Sequence, residues 1–301
     1  MGKHINNKRL RWAYDQCPLP GSSVPSLQHT RWYCDGHHDL KDVIRLPDGY
    51  TTTVFSSPLF SWLRSFSLTP PALTHQHSLI TVSEWLPRYQ PTTPGRWRAF
   101  GRHYTCAYAR LHEDYLTDWS SQAKRHLKKF HRSGVQLRLG TRAEVVALYA
   151  TSQVPKTMQA ALLKILDQHL NAHPDTIDIL VAEKNHHPVA CFVAGNCDEG
   201  KISEYILGAF HPNYKQDHPM VGLIDWWYQK SLSRGYQLLT FGHMDQANTW
   251  WVPMPSTGYS LFKTHFGVQR VWFPKNHWRI IFNHRWRFSK LYNWIKLTKS
   301  E

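Results

Sequence analysis

Acidic residues are scarce in this sequence: 21 Asp and Glu stand against 36 Lys and Arg in 301 residues, a formal net charge of +15. That imbalance points to anionic partners, whether nucleic acid, phosphorylated metabolites or a lipid surface. Cysteine is sparse and odd in number. Cys17, Cys34, Cys106, Cys191 and Cys197 are scattered singly, which argues against a disulfide scaffold and predicts free thiols in a reducing compartment. No stretch reaches the roughly 18 apolar residues of a membrane-spanning helix. The basic start, Lys3 to Arg9, is followed by no apolar run, so no secretory signal is predicted and a cytoplasmic location is expected. Metal-ligand spacing is missing too. Cys34-Asp35-Gly36-His37-His38-Asp39 with Cys17 has no paired zinc pattern, and His75-Gln76-His77 stands alone, so no metal is expected.

What is present is ample material for a core. Hydrophobic residues make up 42% of the chain and aromatics 14%, which excludes a disordered protein. Up to about residue 105, Pro and Ser/Thr interrupt every apolar run, as in Ser56-Ser57-Pro58, Thr69-Pro70-Pro71 and Pro91-Thr92-Thr93-Pro94-Gly95. A small irregular α/β half with short strands, one at 78–82, is expected there. The pattern sharpens at Asp114. Tyr115, Trp119, Leu127 and Phe130 fall on or near one stripe of a basic helix over 114–133, and Gly134 stands at its C-terminal cap. A strand at 135–139 follows. Thr141-Arg142-Ala143-Glu144 is a capping box opening a helix, and a second helix spans 155–170. A boundary is placed at residue 173, giving parts 1–173 and 174–301.

The second part has a readable order. Strands are predicted at 177–183, 189–195 and 202–209, a helix at 219–234 capped by Gly235, and a strand at 237–241. A helix at 256–265 ended by Gly267 and strands at 268–273 and 278–282 follow. An antiparallel meander passing into crossover units predicts an α/β fold with a mixed sheet.

That order is also the core of the GNAT acyltransferase fold, and several segments resemble the Fem family, the FemABX-type aminoacyltransferases of peptidoglycan cross-bridges. Ala182-Glu183 with Pro188-Val189-Ala190, and Tyr205-Ile206-Leu207-Gly208-Ala209, are similar to the family's strands. Gly235-Tyr236 and Phe241-Gly242 are similar to its helix-end glycine and strand-end "FG". Gly258-Tyr259-Ser260-Leu261-Phe262-Lys263-Thr264-His265-Phe266-Gly267 resembles its "G…FKxxFG". Trp119-Ser120 with Lys124-Arg125-His126-Leu127-Lys128-Lys129 and Ser133-Gly134-Val135 resembles its basic helix. The resemblance covers about residues 114–283. It implies a tandem of two GNAT-like subdomains, the N-terminal one shortened here. It also implies aminoacyl-tRNA as acyl donor, with no separate cofactor, and an amine of a UDP-linked or lipid-linked peptidoglycan precursor as acceptor. The segment before residue 219 has no Gly-rich phosphate loop, which argues against acyl-CoA.

The chemistry would be attack of an amine on an activated ester, which needs a proton acceptor and stabilisation of an oxyanion. The resemblance gives Lys263 the second role, although an exposed lysine on an amphipathic helix reads the same way from sequence. Glu204 is the candidate base, on the strand where GNAT enzymes hold one; a solvent-facing strand residue is the alternative. Strand alternation sets Glu204 opposite to Ser203 and Tyr205. Asp245, with His243, follows a strand end, where α/β sheets place ligands. Asp225 has a simpler role near a helix start. Lys124, Arg125, Lys128, Lys129 and Arg132 form either a phosphate-binding face or a merely solvated one. Tyr205, Phe262 and Phe266 complete the expected substrate contacts. Phe288, Leu291, Tyr292 and Ile295 recur at helical spacing among Lys290, Lys296 and Lys299, a pattern suited to anionic lipid at the inner membrane face or to packing on the first half. A monomer is expected. Two rivals remain open: an acyl-CoA-dependent GNAT N-acyltransferase on another polar acceptor, and a non-catalytic GNAT-fold nucleic-acid binder.

Overall fold

The structure is a computed structural model in which residues 44–46, 49–67, 70–71, 78–87, 97–244 and 257–283 are described. Strands β1 (Ile44–Leu46), β2 (Gly49–Ser56), β3 (Phe60–Ser67), β4 (Ile80–Pro87) and β5 (Arg98–Arg110) come first. A 3₁₀ turn, Tyr115–Asp118, leads to α1 (Ser121–His131), β6 (Gln136–Leu139), α2 (Arg142–Thr151) and α3 (Lys156–Ala172). The meander β7 (Ile177–Lys184), β8 (His187–Cys197) and β9 (Ile202–Phe210) follows. The chain closes with α4 (Pro219–Ser233), β10 (Leu238–His243), α5 (Thr257–Lys263) and β11 (Gln269–Phe282). All these strands form one mixed sheet in the order β1-β2-β3-β4-β11-β5-β10-β9-β8-β7-β6.

The predicted order from β6 onward is the observed one, because its signals are local. Ser120 caps α1 by accepting the Ala123 amide, and Thr141 with Glu144 forms the full capping box of α2. Three features differ from expectation. The single basic helix expected over 114–133 is a 3₁₀ turn, Tyr115–Asp118, and a separate helix, Ser121–His131, parted by extended backbone at Trp119 and Ser120. Among the described residues of the first 110, there are strands and no helix. The two strands predicted at 268–273 and 278–282 are one strand, β11, whose register against β5 shifts between Trp272 and Lys275 and again between Lys275 and His277. Pro274 lies in the first of these irregularities. A proline has no N–H for the ladder, so the sheet accommodates it with a bulge rather than ending the strand.

Two apolar layers cover the sheet. Beneath α1 and α4, Phe130, Phe192, Trp227, Tyr228 and Phe241 are buried together. On the other face, Val145 and Leu148 of α2 and Leu166 of α3 pack on Val181, Val193 and Leu207. With both faces covered, β8 is buried continuously over 189–197 and reads as an apolar run from Val189 to Ala194. The division expected at residue 173 falls after α3, yet α2 and α3 before it share a core with β7, β8 and β9 after it.

A polar chain pins the same layers. Asn196 Nδ2 donates to Asp178 Oδ2 at 2.8 Å, and Lys230 and Arg234 donate to the same carboxylate at 2.8 and 2.6 Å. Ser203 Oγ donates to Asn196 Oδ1 (2.8 Å) and accepts from Trp227 Nε1 (2.7 Å). Each buried polar group in this chain therefore has a partner, which removes the cost of burying it.

Helices α1 and α4 approach closely at Gly222. A Cβ placed there would overlap the Phe130 ring. Glycine in a helix interior normally costs about 1 kcal/mol relative to alanine. Gly222→Ala should nevertheless destabilise the protein by about 1–3 kcal/mol through overpacking. Chemical unfolding of the variant checks this, and Phe130→Leu in the same chain should recover part of the loss. An alanine variant as stable as the parent would remove the close-approach argument.

Candidate active site

Strands β9 and β10 are joined in parallel by the α4 crossover, but they pair over only three residues: Ile202, Ser203 and Glu204 against Leu238, Leu239 and Thr240. Both strands then continue, β9 to Phe210 and β10 to His243, with no further pairing between them. β10 stays with β5, where His243 meets Cys106 after a register shift. β9 stays with β8, with its own shift between Val193 and Ala194 that makes Ile206 an extra residue. The sheet thus opens immediately past Glu204 and Thr240, at the carboxyl ends of two parallel strands.

Glu204 sits at the throat of this opening and is only 5% exposed. It is not the solvent-facing residue that one sequence reading allowed. The register places it in one row with Thr240 and Tyr108. Ser203, on the other face, bonds Trp227 of α4. Tyr205 is half-buried with its ring 5.0 Å from that of Phe192.

Lys263, at the end of α5, is 1% exposed. It shares a buried face with Ser260, while Leu261 between them is exposed. The surface-lysine reading therefore fails. Placing an ammonium inside costs several kcal/mol unless polar groups receive it, so this position is strongly constrained. The residues around it are fixed by aromatic contacts. Phe266 lies 4.9 Å from Trp119 and 4.9 Å from Phe262, and it stacks on Phe241 at 5.9 Å. Tyr228 donates its hydroxyl proton to the Phe266 carbonyl at 2.6 Å. Gly267 follows at φ 68°, and a Cβ there would press on Asp118, so the motif glycine answers both constraints.

Beside Phe266 is a pocket of about 190 Å³ between α1, α4 and α5, lined by Gln122, Ala123, His126, Val221, Leu261, Phe262, His265 and Phe266. Three histidines gather near it. His265 Nδ1 is 2.9 Å from Ser120 Oγ, the α1 cap. The His126 and His218 rings stack in parallel at 3.9 Å. Burial lowers the pKa of His126, and the Arg125, Lys129 and His265 charges lower it further. His218 is lowered by burial, then by His126, Lys129 and Arg125, with Asp217 opposing. These histidines come from distant parts of the chain, and sequence reasoning missed them. His126 and His265 sat inside recognised motifs, but neither motif gave the histidine a role.

Along α1, Arg125, Lys128, Lys129 and Arg132 are exposed. Lys124 is half-buried and donates to the Thr117 carbonyl at 3.1 Å. Asp225 is bonded by Tyr115 (2.6 Å) and Gln229 (2.8 Å), and burial raises its pKa. That carboxylate clips the 3₁₀ turn to α4. Asp245 lies outside the described residues, as do the Cys17/Cys34 and His75/His77 segments and the C-terminal tail. Among the described residues there is no cluster of three His, Cys, Asp or Glu able to hold a metal.

No family model matches the sequence, and no curated protein matches it. Among solved structures, the chain is similar to FemX at 8% identity, over 92% of this chain and 96% of that one, with a TM-score of 0.60. It is similar to a conserved protein of unknown function from Bacteroides thetaiotaomicron at 9% identity, covering 91% and 96%, with a TM-score of 0.55. A C-terminal domain assigned to a lysylphosphatidylglycerol synthetase from Agrobacterium fabrum is similar at 11% identity, covering 91% and 92%, with a TM-score of 0.50. At these identities the likeness establishes the fold alone, which is the one shared with FemX.

The stacked histidines generate a pH prediction. Their pKa values lie below the ordinary 6.5 when folded, so the unfolded chain binds more protons as acid is added. Their contribution is fully present above about pH 6.5 and is lost as the pH falls below it. His218→Asn keeps a residue that tolerates its left-handed φ of 54° and removes one titrating ring. Melting temperatures between neutral pH and pH about 5.5 should fall less steeply for the variant. Parallel curves would rule out the stack as an acid-sensitive element.

Proposed function

We propose that the chain is an aminoacyltransferase, moving an amino acid from aminoacyl-tRNA to an amine of a UDP-linked or lipid-linked peptidoglycan precursor. The observation that carries this is the opening of the sheet at Glu204 and Thr240. Crevices at the carboxyl ends of parallel strands are where α/β sheets take ligands. Here the last paired residue at that crevice is a buried carboxylate. The acceptor amine attacks the ester carbonyl carbon, and a C–N bond forms as negative charge develops on the carbonyl oxygen. The carbonyl then reforms, the C–O bond to the tRNA ribose breaks, and the ribose oxygen leaves with a proton. In this reading Glu204 receives the proton that the attacking amine loses, and the Lys263 ammonium stabilises the oxyanion or the departing ribose oxygen. Asp245 is a second candidate acid–base group.

The donor assignment has its own support. A CoA pyrophosphate would need backbone amides exposed before α4. The segment there is the 3₁₀ turn Pro212–Asp217, which contains no glycine, and the His211 and Tyr214 rings pack edge to face 5.6 Å apart across it. Lys184 ties the turn down through Asp217 at 2.7 Å. The exposed cations of α1 offer instead a surface for tRNA phosphates. Charged tRNA should therefore support transfer, and acetyl-CoA should not. Lys128→Glu with Lys129→Glu should weaken tRNA binding and reduce the slope of log affinity against log salt by about 1.5. Robust turnover on acetyl-CoA with none on charged tRNA would overturn this reading. Salt-sensitive tRNA binding without turnover would leave only a nucleic-acid binder.

Lys263 is the more exposed test. Alanine would leave a cavity in addition to removing the charge, so Lys263→Met is the cleaner variant. If the ammonium stabilises charge made in the transition state, kcat should fall about a hundred- to a thousandfold with little change in KM. A melting curve separates this from unfolding. Activity within about threefold of the parent would remove Lys263 from the site.

A further inference from the structure

The sheet around β3, β4 and β11 is built with its polar face inside. Ser61, Ser65, Thr81 and Ser83 are buried, with Ser61 and Thr81 hydroxyls 3.0 Å apart and Ser65 Oγ 2.8 Å from Thr51 Oγ1. On the opposite face two successive rows are apolar, and the row after them, Arg64, Glu84 and Trp278, carries an ion pair at 2.7 Å. Register puts Phe60, Ile80 and Phe282 in one row, and Trp62, Val82 and Ile280 in the next. Ile280 is 61% exposed and Phe282 67% exposed. A sheet with one solvated face normally does the reverse, so the inversion raises the question of what this face meets.

We propose that this face docks on an anionic lipid bilayer. Three observations favour a membrane over a second copy of the chain. The first is size. Three strands about 4.8 Å apart, with alternate residues about 7 Å apart, give a patch of a few hundred Å² at most. A stable protein interface buries about 800 Å² on each partner. A bilayer needs only a few inserted side chains, supplemented by charge. The second is composition. The Trp62 and Trp278 rings lie 5.8 Å apart, and the Arg64 guanidinium sits 5.2 Å from the Trp62 centroid. Arg64 is itself paired with the buried Glu84 at 2.7 Å, so it is the indole rings that suit the boundary between headgroups and acyl chains. The third is charge. The chain carries +15, and β11 runs directly into a sequence bearing Arg285, Arg287, Lys290, Lys296 and Lys299. Such a segment is complementary to an anionic surface.

This docking deepens the transferase reading by choosing a membrane-held acceptor, and to that extent it rests on it. The binding itself needs no turnover, so the two fail separately. The test is co-sedimentation of the full chain with phosphatidylcholine vesicles, with and without about one third phosphatidylglycerol. The parent should pellet with the anionic vesicles only. Ile280→Ser with Phe282→Ser should lower the partition coefficient at least about tenfold, with an unchanged melting curve. Ile280→Thr, which suits a strand better, should give a smaller loss in the same direction. Leu139→Ser should bind like the parent, since Leu139 is 59% exposed on edge strand β6, at the other side of the sheet. A double variant that pellets like the parent would overturn the proposal. So would a parent that ignores anionic vesicles, or a solution dimer that the double variant abolishes. Vesicle binding without aminoacyl transfer would uphold the docking and remove the transferase reading, whereas transfer to a water-soluble precursor without vesicle binding would do the opposite.

Discussion

Four rings from four separate segments hold the candidate site together. Trp119 precedes α1, Tyr228 lies on α4, Phe241 on β10 and Phe266 after α5, and each touches at least two of the others. Edge-to-face and offset aromatic pairs add about 0.5–1.5 kcal/mol each beyond the area they bury. Their larger consequence is positional. Trp119 and Phe266 also form a backbone bridge, and Ser120 N donates to the His265 carbonyl at 2.9 Å. The short helix carrying Lys263 is thereby referenced to the start of the basic helix and to the strand that borders the opening. Seven residues of isolated helix would not persist in water, so α5 owes its existence to this packing.

The opening between β9 and β10 depends on the same arrangement from the other side. An antiparallel meander leaves no gap, because each strand follows its neighbour through a tight turn. The gap arises where connection by α4 makes the next pair parallel, since the two strands then part toward their carboxyl ends under different neighbours. β9 is committed to β8 through a bulge, and β10 to β5 through a register shift. The chain Asp178–Asn196–Ser203–Trp227 fastens α4 over the closed part of the pair. It lies close to Glu204 and on the side where the ladder is intact. The divergence therefore starts from a fixed point, as preorganised chemistry requires.

What was legible in the sequence was whatever local signals specify. Thr141 and Glu144 announced α2, Gly134 and Gly235 marked helix ends with φ of 75° and 72°, and the apolar run of β8 announced a buried strand. What stayed illegible depended on contacts between distant segments. A lysine at a helical position reads as surface until the packing around Phe266 encloses it. His126 and His218 are 92 positions apart, and nothing in either neighbourhood predicts a stack. The first strands were only partly legible, with short strands expected and one set at 78–82, for a different reason. Their alternation is present, but Ser and Thr occupy the buried positions and apolar residues the outer ones, so the usual reading of inside and outside gives no coherent face. The two strands expected at 268–273 and 278–282 are one because the sheet absorbs the intervening segment as register irregularities.

The inverted face and the opening are related through strand order. β11 is separated from β10 only by β5, and β9 follows β10. At about 4.8 Å per paired strand, β10 lies about 10 Å from β11, and the gap beyond Glu204 begins there. A bilayer seated against β3, β4 and β11 would thus border the opening at a distance shorter than a few peptide residues in extended form. In the proposed transferase reading, a lipid-linked acceptor would approach the carboxyl end of β9 from that side. A bilayer on this face also explains why a sheet would keep Phe282 and Ile280 exposed, when exchanging them with the buried Ser and Thr would make a better soluble protein.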